Sequence, residues 1–217
     1  SNALAACIRE NGGAIRYSCP VRRILVEDGR AVGVETAEGE AIPARQVISN
    51  ASKVATYVDL LPPEEVPETV WRELRRTTLS PSAFTLYLGL DAPPEAFGID
   101  ASTHFLLGQT DADAVYARMK VRDIDQRDGL MMTCYSAIDP CFSPPQTTQL
   151  AVITLKFGQA WLQVPPERYA AEKYRVAEGM LAQTERVFPG LRQHIEEMEI
   201  ATPITHMRYL GTPHGAI

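Results

Sequence analysis

Short apolar runs separated by turn-forming residues dominate the first 51 positions of the chain. Cys19–Val26 and Ala31–Thr36 contain several β-branched residues, and Asp28-Gly29 joins them. Two such runs linked by Asp-Gly predict a β-hairpin, because both turn residues tolerate the positive φ angles of a tight turn. A Glu38-Gly39 turn and a third run, Ala44–Ile48, extend this hairpin to a predicted three-stranded meander.

Four further runs predict strands in the second part of the chain. In Ala83–Leu90 every second residue from Phe84 onward is a large hydrophobe, while Thr85, Tyr87 and Gly89 alternate with them. One face of this strand therefore faces a core, and the other faces something less apolar. Because loops rather than helices join the runs, we expect an antiparallel or mixed sheet. The other predicted strands are His104–Gly108, Gly129–Ser136 and Gln149–Phe157.

Caps, periodic apolar positions and prolines indicate the helices. Ser52 is a capping residue type at the start of Lys53–Leu61, and Pro62-Pro63 ends that helix. The longest predicted helix, Pro166–Phe188, carries an apolar stripe from Tyr169 to Val187 that should pack on the sheet. The remaining predicted helices are Pro67–Thr77, Asp111–Met119 and Leu191–Met198.

Composition fits an α+β fold, in which a mixed or antiparallel sheet with packed helices carries the short meander as an appendage. The 217 residues are 45% hydrophobic, which is ordinary for a globular protein with one sizeable core. No apolar run approaches the roughly 18 residues needed to span a membrane, and no secretory signal is visible. The balance of 21 basic and 27 acidic residues argues against a nucleic-acid-binding surface.

Cysteines and histidines give no sign of a metal or dithiol site. Cys7, Cys19, Cys134 and Cys141 contain no C-x-x-C pair, so we expect buried free thiols and a reducing cytoplasm. The four histidines form no helical i, i+4 pair and have no accompanying carboxylate pattern. We therefore expect no metal centre.

Three segments carry a resemblance to a known family. The meander running into Val47–Ala51 (Val-Ile-Ser-Asn-Ala) resembles the middle of FAD-dependent flavoproteins of the amine-oxidase type. Leu79–Asp91 and Ala201–Thr205, the latter leading to Tyr209 and Gly215-Ala216, are similar in order and spacing to the phytoene dehydrogenase and carotenoid isomerase branch. The resemblance covers nearly the whole chain, and it implies an FAD-dependent oxidoreductase of carotenoid biosynthesis.

This resemblance implies that the chain is an internal region of a larger flavoenzyme. Such flavoproteins hold the FAD pyrophosphate on a Gly-x-Gly-x-x-Gly turn at a helix N-terminus, and this sequence contains no such turn. Residues 1–3, Ser-Asn-Ala, are interpreted as a tag remnant. We expect residues 4–51 to form a meander on the FAD side, residues 52–200 a substrate-binding domain, and residues 201–217 a return segment toward the missing flavin domain.

The resemblance also implies site residues. Val21 corresponds to a position that contacts the adenine end of FAD, and Ser49, Asn50 and Ala51 correspond to a strand end close to the dinucleotide. Because most phosphate-binding elements are missing, we expect the chain alone to retain no FAD and to be inactive. An apolar, isoprenoid-like substrate would need a tunnel, and the sequence does not show which face of each strand lines it. The candidate tunnel residues are Phe84, Leu86, Leu88, Phe105, Leu107, Met131, Tyr135, Val152 and Leu155.

No catalytic residue is assigned. His206, Arg208, Tyr209 and His214 are potential acid–base groups without partners at a diagnostic spacing, and we expect Arg208 and Tyr209 to lie in a strand. An apolar substrate would favour contact of the whole enzyme with a membrane surface, and the oligomeric state is left open. Two alternatives remain. One is an amine oxidase of the same superfamily, for which no distinctive aromatic pair is visible. The other is a binding module that keeps the scaffold without redox activity.

Overall fold

A computed structural model describes residues 2–217, and Ser1, the first residue of the expected tag remnant, lies outside them. The chain divides into unit 1, which ends at Thr77, and unit 2, Thr78–Ile217. Residues 52–77, which we expected within the substrate-binding domain, belong to unit 1.

Unit 1 starts with a helix for which the sequence pattern offered no signal. This helix, α1, spans Asn2–Glu10 and includes Asn2 and Ala3 of the expected tag remnant. A three-stranded antiparallel sheet follows in the order of the chain, as the pattern predicted. Its strands are β1 (Val21–Glu27), β2 (Arg30–Thr36) and β3 (Ala41–Pro43).

A tight turn and a close backbone approach account for two glycines of this sheet. Asp28 and Gly29 have φ angles of 49° and 71°, the left-handed region that a two-residue hairpin turn requires. Gly33 of β2 lies so close to β3 that a Cβ atom there would stand 2.4 Å from the carbonyl oxygen of Ile42. A side chain at position 33 would therefore displace β3.

The third strand lies earlier in the chain than predicted. In the register that joins β2 to β3, Gln46 would stand opposite Arg30, where β2 begins. Residues after Gln46 have no partner strand within the described chain, and Ile48 is 95% exposed. The prediction of a strand over Ala44–Ile48 was therefore wrong.

The helical segment after the meander has the predicted cap. Ser52 Oγ accepts a hydrogen bond of 3.0 Å from the Ala55 amide. The segment Ala55–Leu60 is π-helical, and it ends before Pro62, which cannot donate a backbone hydrogen bond. The second predicted helix is confirmed as α2, Glu68–Arg76. Its half-buried side consists of Val70, Trp71 and Leu74.

Unit 2 is built on a five-stranded sheet in which every neighbouring pair is antiparallel, so the predicted α+β class is confirmed. The strands are β4 (Ser82–Leu90), β5 (Thr103–Leu106), β6 (Leu130–Cys134), β7 (Thr148–Lys156) and β8 (Ile195–Ala201). Their order in the sheet is β5-β6-β7-β4-β8. The helices are α3 (Ala112–Met119), α4 (Gln159–Leu162), α5 (Pro166–Val187) and α6 (Pro203–Leu210).

One face of this sheet, the inner face, packs against α5 and forms the core. The alternate hydrophobes of β4, from Phe84 to Leu90, are all buried there together with Val152 of β7. Burying each such side chain contributes about 1.5–3 kcal/mol relative to leaving it exposed. Val187, which the periodicity placed on the buried stripe, is 53% exposed, because α5 ends there and Phe188 enters the core instead. The buried residues of α5 are Val176, Ala177, Met180, Leu181, Gln183 and Thr184.

The prediction of a helix over Leu191–Met198 was wrong, because this segment forms a 3₁₀ turn followed by the edge strand β8. Two adjacent residues of β4 pair with Ile195 and Glu197, so Glu196 is the extra residue of a β-bulge. The bulge interrupts the two-residue alternation of apolar side chains. The resulting spacing imitates the period of a helix.

The last helix, α6, replaces a predicted strand. Thr202 Oγ1 accepts hydrogen bonds from two amides of the first turn at 3.1 and 3.4 Å, and Thr205 Oγ1 accepts one from the Thr202 amide at 3.1 Å. Pro203 occupies the first helical position, where its missing N–H costs nothing. This capping box starts a helix, so the strand expected around Arg208 and Tyr209 was wrong.

The expectation of buried thiols holds for one cysteine of four. Cys134 is buried because it points inward from β6, whereas Cys19 is partly buried. Cys7 and Cys141 are exposed, the first on α1 and the second in the loop before β7. All four thiols are free.

A buried charge cluster holds the loop before β6 against the end of β7. Lys156 is 1% exposed, and its Nζ donates to Asp128 Oδ1 at 2.8 Å, to the Arg118 carbonyl in the last turn of α3 at 3.0 Å and to the Asp123 carbonyl of the loop at 3.1 Å. Arg118 donates to the other oxygen of the Asp128 carboxylate at 2.5 Å. Burial lowers the pKa of the Lys156 ammonium, and the hydrogen bond to Asp128 opposes that effect. Every donor of this ammonium is therefore satisfied.

We predict that D128A lowers the free energy of unfolding by about 3–5 kcal/mol, because it leaves the buried Lys156 without its counter-ion. Urea denaturation followed by circular dichroism measures the change. D100N, at an exposed aspartate without an ion pair in residues 2–217, should stay within about 0.5 kcal/mol of the parent chain. Equal effects of the two substitutions would contradict the assigned role of Asp128.

Glu172 on α5 joins two arginines at the protein surface. Its carboxylate accepts hydrogen bonds from Arg175 and from Arg122, with N–O distances of 2.7–2.9 Å. The hydrogen bonds from Arg175, followed by those from Arg122, lower the pKa of Glu172 to about 2 although partial burial opposes them. A carboxyl group with a depressed pKa stabilises the folded state above its unfolded pKa, and this contribution is lost as the pH falls toward 2.

We predict that E172Q is less stable than the parent chain by roughly 1 kcal/mol at pH 7, a value reduced by solvent screening. The difference should shrink between about pH 4.5 and pH 2, because the parent carboxylate becomes protonated there. Urea denaturation at a series of pH values measures it. E167Q removes an exposed carboxylate of the same helix that has no ion pair in the described chain, so its effect on the free energy of unfolding at pH 7 should be smaller than that of E172Q. If the difference in free energy of unfolding between E172Q and the parent chain did not change with pH, the stabilising role assigned to the Glu172 carboxylate would be refuted.

Candidate functional site

The second face of the five-stranded sheet, the outer face, lies opposite α5 and presents apolar side chains to the exterior of unit 2. Phe105 is 69% exposed and Tyr87 is 49% exposed. Leu106, which follows Phe105, and Leu86 and Leu88, which flank Tyr87, point inward and are buried. Adjacent to β5, Leu107 is 71% exposed. Exposed hydrophobes grouped in this way mark binding surfaces more often than scattered ones do.

The strand register makes these residues neighbours. Thr133 of β6 faces Ala151 of β7, which faces Tyr87 of β4. Two residues further along β7, Ile153 faces Met131 of β6. The outer residues of β7 from Gln149 to Leu155 therefore form a stripe about 20 Å long, at about 3.3 Å per residue.

A groove of about 540 Å³ lies at one end of this stripe. Its floor contains the small residues Gly89 and Ala151, and Tyr87 stands beside them. Tyr135 and Phe142 also line it, with ring centroids 4.9 Å apart and ring planes inclined at 42°. No pattern in the sequence indicated this pair, because a loop between β6 and β7 brings the two rings together.

A smaller hollow of about 340 Å³ lies at the other end of the stripe. Arg118 and Arg127 stand at this end, and both are neutralised by carboxylates of the same loop. Arg127 donates to Asp125 at 2.5 Å, which holds the pKa of that carboxyl group far below its usual range. The apolar residues lining the hollow are Phe105, Leu107, Val115, Met119, Leu130, Met131, Ile153 and Leu155.

The structure separates the predicted substrate residues into two groups. Phe105, Leu107, Met131, Tyr135 and Leu155 line the outer face. The others are buried in the core of the inner face, where they pack against apolar side chains, and of these four only Leu88 also lines the groove. This second group consists of Phe84, Leu86, Leu88 and Val152.

Several residues of the groove were missed. The alternation in β4 already placed Tyr87 and Gly89 away from the core, so it could have identified them. Phe142 lies in a loop, where no periodicity points to a partner. Glu197 was assigned to a helix expected to end at Met198, and that error hid the position of Glu197 and of the following Glu199 on the outer face of β8.

The expected FAD-side residues all lie in unit 1. A cavity of about 450 Å³ is lined by Ser49 and Ala51 together with Lys53 and the apolar residues Ile24 and Val47. Ser49 Oγ is 2.8 Å from the Thr56 hydroxyl. Asn50 is exposed outside the lining, as is Val21 at the start of β1. An apolar wall with hydroxyl and ammonium groups fits one edge of a nucleotide-sized group.

The polar groups near the C-terminal segment do not assemble into a reactive cluster in the described residues. His206 Nε2 on α6 is buried without a hydrogen-bond partner in residues 2–217, and burial lowers the pKa of this imidazole. Tyr209 is 80% exposed on the same helix. His214 has a φ angle of 55° in a short 3₁₀ turn.

Residues 2–217 contain neither a metal-binding cluster nor a helix that could span a membrane. No group of three or more His, Cys, Asp or Glu side chains has a metal-binding arrangement in this part of the chain. None of its helices combines the length and apolar character that crossing a bilayer demands.

Comparisons with known proteins agree with one another. The model of the flavin-containing amine oxidoreductase family matches residues 1–198. The chain is 27% identical over 217 residues to the chloroplastic prolycopene isomerase of Arabidopsis thaliana. It is 28% identical over 228 residues to the all-trans-zeta-carotene desaturase of Myxococcus xanthus. These alignments cover 99% and 100% of this chain but 35% and 40% of the relatives, so the chain spans less than half of their length.

A solved structure shares the fold. An oxidoreductase from Methanosarcina mazei superposes with a TM-score of 0.60 at 22% sequence identity. The superposition covers 92% of this chain and 40% of that chain.

Proposed function

This chain belongs to the flavin-containing amine oxidoreductase family, and we propose that it is the substrate-side part of an FAD-dependent oxidoreductase acting on a long apolar, isoprenoid-like substrate. The observation that supports this proposal is the outer face of unit 2. It offers a stripe of mainly apolar outer residues with a hollow at each end. A polyene chain has few polar groups, so its recognition needs such a surface more than it needs hydrogen bonds.

The names of the relatives point to the same class of substrate. One is a prolycopene isomerase and the other a zeta-carotene desaturase. In this proposal, Phe105, Met131 and Tyr135 contact the polyene, while the core residues behind them keep the sheet rigid. Burial of apolar surface would supply about 25 cal/mol per Å², and it would also exclude water from the reacting bond.

FAD, when bound, would supply the redox chemistry by accepting a hydride from the substrate. Ser49 and Ala51 would hold one edge of this cofactor, because they line the cavity of unit 1. Lys53 would add a positive charge at that edge, although it is 2.5 Å from the Glu73 carboxylate in the described chain. We propose that the remaining contacts with FAD come from parts of the whole protein that this chain does not contain.

A second candidate is oxidation of an amine by the same scaffold. The Tyr135–Phe142 pair and the nearby carboxylates of β8 favour this alternative, because aromatic rings and carboxylates both attract ammonium groups. Turnover of amines but not of polyenes by the full-length enzyme would establish it.

We predict that lycopene, delivered from detergent, co-elutes with this chain in size-exclusion chromatography. M131E should reduce the co-eluting visible absorbance at least about fivefold, because bound polyene would bury an unpaired carboxylate. A170E places the same charge on the exposed side of α5 and should behave like the parent chain. Near-ultraviolet circular dichroism checks that both variants fold. Equal lycopene binding by M131E and A170E would contradict the proposal that the outer face is the substrate site.

We predict that the purified chain carries far less than one equivalent of FAD. The pyrophosphate of FAD needs backbone amides at a helix N-terminus, and the sequence has no Gly-x-Gly-x-x-Gly turn to provide them. Absorbance near 450 nm, compared with a standard of free FAD, measures the content after purification and after incubation with excess cofactor followed by desalting. A yellow sample with nearly stoichiometric flavin would show that unit 1 holds more of the cofactor than we propose.

A further inference from the structure

The two ends of the outer face differ in charge. At the hollow near β5, each arginine is paired with an aspartate, so that end carries no unneutralised cation. At the groove, three glutamates of β8 stand at one edge without a salt bridge to any residue of 2–217. No lysine or arginine of the described chain lines the groove either. We call these three residues, Glu196, Glu197 and Glu199, the acidic edge.

The register directs two of these carboxylates onto the outer face. Glu199 pairs with Tyr87, and Glu197 pairs with Gly89. Because Gly89 has no side chain, the floor next to Glu197 is open, and a Cβ atom at position 89 would meet only the Glu197 Cβ at 3.5 Å. A ligand lying on the stripe can therefore approach the carboxylates.

Aromatic rings lie in the same groove as the acidic edge. Tyr87, Tyr135 and Phe142 present electron-rich surfaces, and a cation within about 6 Å of such a ring is attracted to its face. Carboxylates and ring faces favour the same sign of ligand charge. A negatively charged head group would meet repulsion from both.

We infer that the acidic edge binds the positively charged part of a ligand whose remaining chain is apolar and lies along the stripe. This inference rests on the proposed function, in which the outer face is the substrate site. The charge can be a permanent ammonium group, or it can develop on a hydrocarbon chain from which a hydride is removed. Both sources place positive charge on an apolar chain, and the groove is complementary to both.

The competing explanation is that the carboxylates only protect an edge strand. β8 is at the border of the sheet, and charged residues there discourage pairing with other chains. Protection of the edge strand predicts no preference of the groove for cationic ligands. The affinities for ligands of different charge therefore distinguish the two explanations.

The experiment is calorimetric titration of the 217-residue chain with three ligands of equal chain length: octyltrimethylammonium, 1-octanol and octyl sulfate. We expect the ammonium to bind about tenfold more tightly than the sulfate, with the alcohol between them. E197Q/E199Q should reduce this ratio to less than about twofold and leave the affinity for octanol unchanged. E95Q/E167Q removes two exposed, unpaired carboxylates of unit 2 outside the groove, and it should keep the parent ratio.

A further variant separates the location of the site from its charge preference. G89V puts a β-branched side chain on the floor of the groove, in a strand that accepts it. It should weaken binding of the ammonium and of octanol alike. The permanent ammonium tests the charge directly. For a charge that develops only during reaction, the full-length enzyme carrying E197Q/E199Q should turn over a neutral polyene more slowly with an unchanged KM.

The outcomes are distinct. Binding of all three ligands with equal affinity, lost in G89V, would overturn this inference while the outer face remained the binding site. A charge preference that persists in E197Q/E199Q would also overturn it. Absence of binding by all three ligands would overturn both the inference and the proposed site.

Discussion

The pairing of β4 with β7 is the constraint on which unit 2 depends. It runs without interruption from Ser82 opposite Lys156 to Leu90 opposite Thr148. Side chains alternate along both strands, so this one register decides which residues enter the core and which form the outer face. A slip by one residue would put Tyr87 against α5 and expose Phe84. Stability and the binding surface are therefore two results of the same hydrogen-bond ladder.

The buried charge cluster connects this ladder to the loop before β6. Lys156 is the last residue of β7, and its ammonium is surrounded by the Asp128 carboxylate and by the carbonyls of Arg118 and Asp123. The same loop carries Arg127, which stands at one end of the outer face. The position of that loop is therefore determined by polar contacts in the core, although the loop itself has little regular structure.

Local patterns predicted most elements correctly, since the period of two in β4 and the long stripe of α5 are strong signals. The errors have physical causes. The β-bulge at Glu196 broke the alternation of β8, and a capping box at Thr202 started a helix where a strand was expected. The third strand of the meander lies earlier than predicted, because Ala41–Pro43 rather than Ala44–Ile48 pairs with β2.

The candidate site was less predictable than the fold. The sequence showed that Phe105 and Val152 lie in strands, but only the register with neighbouring strands placed one outside and the other in the core. The aromatic pair depends on a loop that brings Phe142 to Tyr135. Family resemblance indicated FAD and an apolar substrate. It did not indicate the charge of the groove, which arises from tertiary pairing.

The bulge in β8 has one more consequence. Ile195 faces the core and Glu197 the exterior, so these two residues would alternate regularly if they were adjacent. Glu196 is thus the extra residue of the bulge. A chain that lacks only Glu196 could pair β8 with β4 without interruption, and every other side chain of β8 would keep its face of the sheet. Deletion of Met198 would instead move the side chains on one side of the deletion to the opposite face of the sheet. The edge strand of unit 2 can therefore accept a deletion at Glu196 but not at Met198, two residues away.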